Sequence, residues 1–119
     1  MKTIFVVDDS DTNLAMAEEA LEDYYRVMTI PSAGKMFLLL EKMTPDLILL
    51  DIEMPEINGF EALEKLKSGG LWSDIPVVFL TGTVNESIEE RSSKLGAVGI
   101  VTKPFSSPAL LDCVKSHIE

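Results

Sequence analysis

Five short apolar runs divide this chain, and each is followed by a stretch with apolar residues at helical spacing. The runs are Thr3 to Val7, "YRVMTI" from Tyr25, "DLILLD" from Asp46, "PVVFLT" from Pro76 and "GIVT" from Gly99. Their length and their β-branched and aromatic content suit buried strands. Between them the period changes. Leu14, Ala17, Leu21 and Tyr24 form one helical stripe, and Met36, Leu39, Leu40 and Met43 a second. Phe60, Leu63 and Leu66 make a third, Val84, Ile88 and Leu95 a fourth, and Leu111, Val114 and Ile118 a last one. Such stripes mark amphipathic helices. The boundary residues agree. Ser10 or Asp11 caps the first helix, Ser32 opens the second and Thr44-Pro45 ends it. "MPEING" is loop chemistry, and the third helix ends near Ser68-Gly69-Gly70. Gly96 suits the position just past the fourth helix, and Ser107-Pro108 reads as an N-cap followed by Pro at the first helical position. A strand–helix alternation repeated five times predicts a parallel sheet with helices on both faces.

Composition narrows the function. The 119 residues predict one domain over 1–119, and 46% hydrophobic content is enough for a full core. The single Cys113 excludes an internal disulfide or a multi-cysteine metal site and points to a reducing, cytoplasmic compartment. Lys2 before Thr3 to Val7 imitates the start of a signal peptide, but the apolar run is short and Asp8 stops it. No stretch approaches the roughly 20 apolar residues of a membrane helix. A formal charge of −10 argues against nucleic acid or an anionic membrane as a direct ligand. A cation or a basic protein surface is the natural counterpart.

In open parallel sheets, ligands sit outside the carboxyl ends of the strands. Here those ends carry chemistry. "IFVVDDSD" places Asp8, Asp9 and Asp11 after the first strand. The third strand ends in Asp51, the fourth in Thr81, and Lys103 follows the fifth. Two unit charges about 4 Å apart interact by roughly 4 kcal/mol at an effective dielectric near 20, so crowded acids require an opposing charge. A helix cap needs one acceptor and explains one of Ser10 or Asp11, not Asp8 and Asp9 as well. Mg²⁺ takes oxygen ligands, typically one or two carboxylates with waters and a phosphate, and Asp8, Asp9 and Asp51 could supply the carboxylates.

Four motifs carry a family resemblance across essentially the whole chain: "VVDDS" with Asp8 and Asp9, "LLDIEMPEINGFE" with Asp51, Met54, Pro55 and Gly59, "FLTG" with Thr81, and "TKPF" with Lys103, Pro104 and Phe105. Each alone is weak. In this order, each at a strand end, they resemble the response-regulator receiver domain of two-component signalling. The resemblance implies a flavodoxin-like, doubly wound (βα)5 fold with strand order 2-1-3-4-5. It implies that Asp51 accepts a phosphoryl group from the phosphohistidine of a sensor histidine kinase or phosphotransfer protein. Asp8, Asp9 and Asp51 would hold Mg²⁺, helped by the backbone carbonyl of Glu53. Lys103 would bind the phosphoryl oxygens, Thr81 would hydrogen-bond one of them, and the Lys103–Pro104 bond would be cis. The domain would be a signalling switch that catalyses only its own phosphorylation and dephosphorylation. Its output would be a downstream protein target or a fused output domain. With the last helix expected at the end of the sequence, a stand-alone receiver and a piece of a larger regulator are both expected forms.

The same residues have other readings. "DSDTN" partly matches the nucleophile motif of haloacid-dehalogenase-type phosphatases, with Asp9 as nucleophile, but Asn13 departs from it and a later acidic pair is missing. A calcium loop fails because Leu14 replaces the needed Gly and Ala20 the bidentate Glu. An interaction module with a receiver fold that is never phosphorylated is the remaining alternative. Cys113 and His117 read as packing and an exposed terminal side chain, Trp72 as a loop anchor, and the methionines as core filler. One departure matters. Many receivers carry Tyr or Phe three residues before the Lys, and this chain has Ile100.

Overall fold

The computed structural model describes residues 1–118. Strands β1 (Thr3–Val7), β2 (Arg26–Ile30), β3 (Leu47–Asp51), β4 (Val77–Thr81) and β5 (Gly99–Thr102) alternate with helices α1 (Asp11–Leu21), α2 (Ala33–Leu40), α3 (Gly59–Ser68), α4 (Glu86–Leu95) and α5 (Ser107–Ile118). The strands form one parallel sheet in the order β2-β1-β3-β4-β5. This is the flavodoxin-like arrangement that the motifs implied.

Strand residues alternate between two cores. Phe5, Val7, Ile48, Leu50, Val77 and Phe79 face the layer built by α2 and α3. Ile4, Val6, Leu47, Leu49, Val78 and Leu80 face the layer of α1 and α5. Every residue of β3 and β4 is therefore buried, which is why both read as unbroken apolar runs. A fully buried Leu, Ile or Phe side chain contributes roughly 1.5–3 kcal/mol. Several together outweigh the few kcal/mol of repulsion among acids at the strand ends, so the acids stay where the strands put them.

Helix starts follow capping chemistry. Ser10 accepts from the Asn13 N–H, Ser32 from Lys35 and Asn85 from Ile88. Asn58 and Glu61 form a reciprocal capping box at α3. Gly96 closes α4 at φ 96, a left-handed conformation that glycine adopts without steric cost.

Four expectations shift at element ends. Helix α1 stops at Leu21, and Tyr24 lies outside it, 52% exposed beneath the Lys115 ammonium at 4.8 Å. The apolar spacing outlasts the backbone hydrogen bonds. Helix α2 likewise ends at Leu40, leaving Met43 beyond it on the core edge. Val84, expected on the stripe of α4, precedes the cap Asn85 and is exposed. At α5 the capping role falls to Ser106, not Ser107. Its hydroxyl accepts from Ala109 N–H and its carbonyl from Leu110 N–H. Either adjacent Ser has the chemistry, and the chain uses the one that leaves the β5–α5 turn first.

Helix α4 is seated differently from the rest. Its one buried residue is Ser92, whose hydroxyl has no hydrogen-bond partner among the described residues. Ile88 and Leu95 reach the core only in part. The Arg91 guanidinium lies 4.2 Å from the centroid of the Phe60 ring, and Phe60 meets Phe79 edge-on at 5.4 Å.

Candidate functional site

Backbone pairing delivers each site residue. Asp8 extends the β1–β2 ladder through its N–H to the Ile30 carbonyl. Asp51 is the last residue of β3, the central strand, and sits opposite Leu80. Thr81 ends β4 opposite Thr102, and the Lys103 N–H donates to the Thr81 carbonyl at 2.8 Å. Four strand ends therefore converge on one small basin. The Lys103–Pro104 peptide bond is cis.

Two of the carboxylates are out of water. Asp8 and Asp51 are buried, whereas Asp9 is exposed at the rim. Lys103 Nζ bridges the buried pair, 2.8 Å from Asp8 Oδ2 and 2.9 Å from Asp51 Oδ1. Asp8 Oδ1 accepts from the Ser10 N–H at 2.9 Å, and Asp51 Oδ1 accepts from the Glu53 N–H at 3.2 Å. The Lys103 and Glu53 N–H contacts of Asp51 both fall on Oδ1.

Burial pushes the Asp51 carboxyl up to about 6, with the neighbouring Asp8 adding to the rise. The Lys103 ammonium and the Glu53 N–H oppose it. At Lys103, burial works against the charged form, but hydrogen bonds to Asp8 and Asp51 outweigh it and hold the pKa above the usual value. One carboxylate is therefore under-compensated. Single oxygens of Asp8, Asp9 and Asp51 all lie within 4.8 Å of one another, a grouping that could hold a further cation.

Sequence reasoning expected Asp8, Asp9, Asp51, Thr81 and Lys103 in one place. The structure brings the acids and Lys103 together and sets Thr81 beside them. It also shows contacts that motif spacing does not reveal. The Thr81 hydroxyl donates to the Thr83 carbonyl at 3.0 Å and accepts from the Thr83 N–H at 3.1 Å. The Glu53 carboxylate lies 3.5 Å from the same hydroxyl. For Glu53, the resemblance pointed to the backbone carbonyl. The contacts seen here run through its N–H and its side chain.

Gly59 is the other residue that motif roles overlook. Its N–H donates to the Ile52 carbonyl, and a Cβ there would lie 2.5 Å from the Asp51 carbonyl oxygen. The signal was a glycine at a helix start, where its flexibility costs about 1 kcal/mol relative to Ala and needs a reason. Cys113 is half-buried and its thiol is pushed up by burial, so it is packing. His117 is exposed, and Trp72 packs on the edge of the core.

A five-stranded parallel sheet with an acid trio and a lysine at its carboxyl edge defines a class of phosphoacceptor signalling module. The family model for the response regulator receiver domain matches residues 4–115, and the chain belongs to that family. The chain is 40% identical over 117 residues to a probable cyclic di-GMP phosphodiesterase of Vibrio cholerae. That match covers 98% of this chain but only 26% of that protein. It is 30% identical to the polar-differentiation response regulator DivK of Brucella ovis, covering 98% of this chain and 96% of that one. Among solved structures, the chemotaxis protein CheY4 of Vibrio cholerae superposes with a TM-score of 0.93 at 26% identity, over 98% of both chains. The BeF3-activated receiver domain of DrrB gives 0.87 at 28% identity, over 98% of this chain and 97% of that one. The acid trio of Asp8, Asp9 and Asp51 fits the phosphoacceptor site of such a domain. The phosphatase and never-phosphorylated readings are not favoured. Among the described residues, no helix is long and apolar enough to cross a membrane.

Proposed function

We propose that Asp51 is the phosphoacceptor and that Oδ2 is its nucleophilic oxygen. The observation that carries this is the division of labour on one carboxylate. Oδ1 takes the contacts of Lys103 and the Glu53 N–H, which leaves Oδ2 the less engaged oxygen. The Lys103 ammonium and the Glu53 N–H favour the ionised form that a nucleophile needs, against the upward push of burial. Oδ2 attacks the phosphorus of a phosphohistidine. The O–P bond forms as the N–P bond breaks, and the freed imidazole nitrogen takes up a proton. Phosphoryl transfer depends on position and charge more than on covalent chemistry.

Asp8, Asp9 and Asp51 are suited to hold Mg²⁺, an oxygen-seeking cation, with the Glu53 carbonyl as a further donor. When bound there, Mg²⁺ supplies positive charge to the phosphoryl oxygens. Lys103 supplies the second positive charge from the opposite side, already oriented by its two ion pairs. Thr81 leaves the Thr83 carbonyl and donates to a phosphoryl oxygen, drawing the loop that follows β4 with it. Receiver domains interact with histidine kinases and downstream targets. The cytoplasm is the compartment that fits this partnership. Incubation with acetyl phosphate and Mg²⁺ should add one phosphate by intact mass, and none to Asp51→Asn. Equal uptake by the variant refutes the assignment.

The output step departs from the aromatic mechanism. Ile100 is half-buried against the core beside Phe79, its partner across β4 and β5. An Ile is short, branched and stiff at χ1, and it cannot exchange an exposed aromatic pose for a buried one. Displacement of the β4–α4 loop and of α4 then carries the switch. Fewer differential contacts mean a smaller population shift, and a swing from about 1:99 to 99:1 needs roughly 5.5 kcal/mol. With beryllofluoride and Mg²⁺, backbone amide shifts should centre on residues 81–91 and 103–106. Ile100→Tyr should enlarge the response. Loss of the response in Ile100→Ala, with phosphorylation intact, would make Ile100 the transmitting element instead.

A further inference from the structure

Helix α2 presents a face that the core uses only in part, through Leu39 and the neighbouring Phe37. Its buried side is Ala33, Met36 and Leu40. Leu38 points away from them and is 64% exposed. Lys35, Leu38, Leu39 and Lys42 line a groove of about 240 Å³. Their spacing of i, i+3, i+4 and i+7 makes them one continuous stripe. Beside the stripe, the Phe37 ring lies 5.9 Å from that of Trp72, and Lys65 Nζ sits 5.0 Å from the Phe37 centroid. Leu71, next to Trp72, is 79% exposed. Exposed apolar residues scattered singly are ordinary. A two-leucine groove adjoining an incompletely buried aromatic pair is a patch, and patches mark contacts.

The charge of this region runs against that of the molecule. The chain carries 20 acidic and 10 basic side chains. Two of the basic ones, Lys35 and Lys42, line the groove, and no acidic side chain lines it among the described residues; Lys65 lies over Phe37, with Glu41, Glu64 and Asp74 as the nearby acids in the sequence. An apolar groove lined by two lysines on a molecule of charge −10 favours an acidic partner and orients its approach. Nothing in the acid basin at the strand ends uses this face of α2.

We propose that the outer face of α2 docks an acidic amphipathic helix of a partner protein. The partner's apolar residues would enter the Leu38–Leu39 groove, and its carboxylates would meet Lys35 and Lys42. Helix-in-groove recognition reads this pattern of anchors. An anionic bilayer fits less well. Each surface lysine gains about 1 kcal/mol there, and three must overcome the repulsion of the whole acidic chain. A second copy of this chain also fits less well. Its acidic helix α1 lies on the opposite face of the sheet, so pairing α1 with α2 would propagate an open chain rather than close a dimer.

The single tryptophan, Trp72, sits in the patch and reports on it. The test titrates a synthetic helical peptide, with leucine anchors flanked by glutamates, into the intact protein. Its control carries lysines in place of the glutamates. Saturable change in Trp72 emission is expected with the acidic peptide only, and amide shifts should map to residues 33–42 and 70–72. Lys35→Glu with Lys42→Glu should weaken binding by about tenfold or more, and Leu38→Asp similarly. All three side chains are exposed, so melting temperature should be nearly unchanged and serves as the folding control. Four results overturn the proposal: no saturable response, unchanged affinity of the double variant, shifts mapping elsewhere, or binding to vesicles of phosphatidylcholine and phosphatidylserine without binding to the peptide. Self-association of the free protein that Lys35→Glu with Lys42→Glu abolishes would also overturn it, by assigning the face to a second copy.

Discussion

Asp51→Asn should melt higher than the native protein near neutral pH when no divalent cation is present. The native carboxyl has a pKa raised from 3.8 to about 6, chiefly by burial and then by Asp8. A raised carboxyl stabilises the fold while it is neutral. That stability is fully present below 3.8 and is lost as pH climbs through about 6. A rise of that size corresponds to roughly 3 kcal/mol. Asn mimics the neutral form at every pH. Against this, the variant weakens the Asp51 contact to Lys103. Orphaning a buried charge can cost about 3–5 kcal/mol, but Lys103 keeps Asp8 at 2.8 Å and is not orphaned. The expected net gain is about 2 kcal/mol, or several degrees in Tm. The gap should close on acidification to about pH 4 and reverse with excess Mg²⁺. Thermal melts at several pH values check this. A variant that melts lower at neutral pH, or keeps the same gap in acid, contradicts the argument.

Gly59→Ala should be destabilised, although alanine is the better helix former. The helix propensity gain is about 1 kcal/mol. The added Cβ would sit 2.5 Å from the Asp51 carbonyl oxygen and 2.7 Å from Ile52 Cα. Both are backbone atoms in or next to the central strand, and neither can swing aside as a flexible side chain does. Forced overpacking costs typically about 1–3 kcal/mol and more where the backbone must shift, so the clash wins. Relief requires α3 to lift from β3, taking the capping box of Asn58 and Glu61 with it. A net loss of about 2 kcal/mol is expected for Ala and more for Val, whose branch adds a second clash. Phosphate uptake from acetyl phosphate should slow in parallel, because the strained peptide belongs to Asp51. Chemical denaturation with unchanged m-value would show the loss. An Ala variant as stable as the native chain would mean that the close approach relaxes freely.

Much of this could be read in advance, for physical reasons. Buried parallel strands are continuous apolar runs, so β3 and β4 could hardly be missed. Chemistry at strand ends was legible because the topology of such a sheet dictates where side chains converge. Helix ends were less so. Val84 shares the apolar spacing of a helix that starts after it, Tyr24 that of one that ends before it, and spacing carries no information about where hydrogen bonds start or stop. Asp8 and Asp9 are adjacent and identical in the sequence, yet one is buried against Lys103 and the other faces water. The pleat at the end of β1 decides that. The Thr81–Thr83 bonds, the Glu53 side chain and the clearance at Gly59 depend on distances between elements, to which a motif is blind.

The poor seat of α4 has a consequence for how a small modification moves a protein with so full a core. Local opening free energies range from almost nothing at frayed segments to the global value in the central strands. A helix that buries one serine, its hydroxyl without a partner among the described residues, belongs near the low end of that scale. Strand β3, buried at every residue, belongs at the top. A phosphoryl group can shift an equilibrium only by the few kcal/mol of its differential contacts. Spent against β3, such a sum would change nothing measurable. If the proposed pull of Thr81 applies it to the helix that follows, the same sum would act on a segment expected to open at low cost. Native-state amide exchange should rank the two accordingly, with α4 opening well before β3. On the proposed roles of Asp51 and Thr81, the phosphate would sit on a fully buried strand and the response on a sparsely buried helix that begins at Glu86, a short loop beyond Thr81.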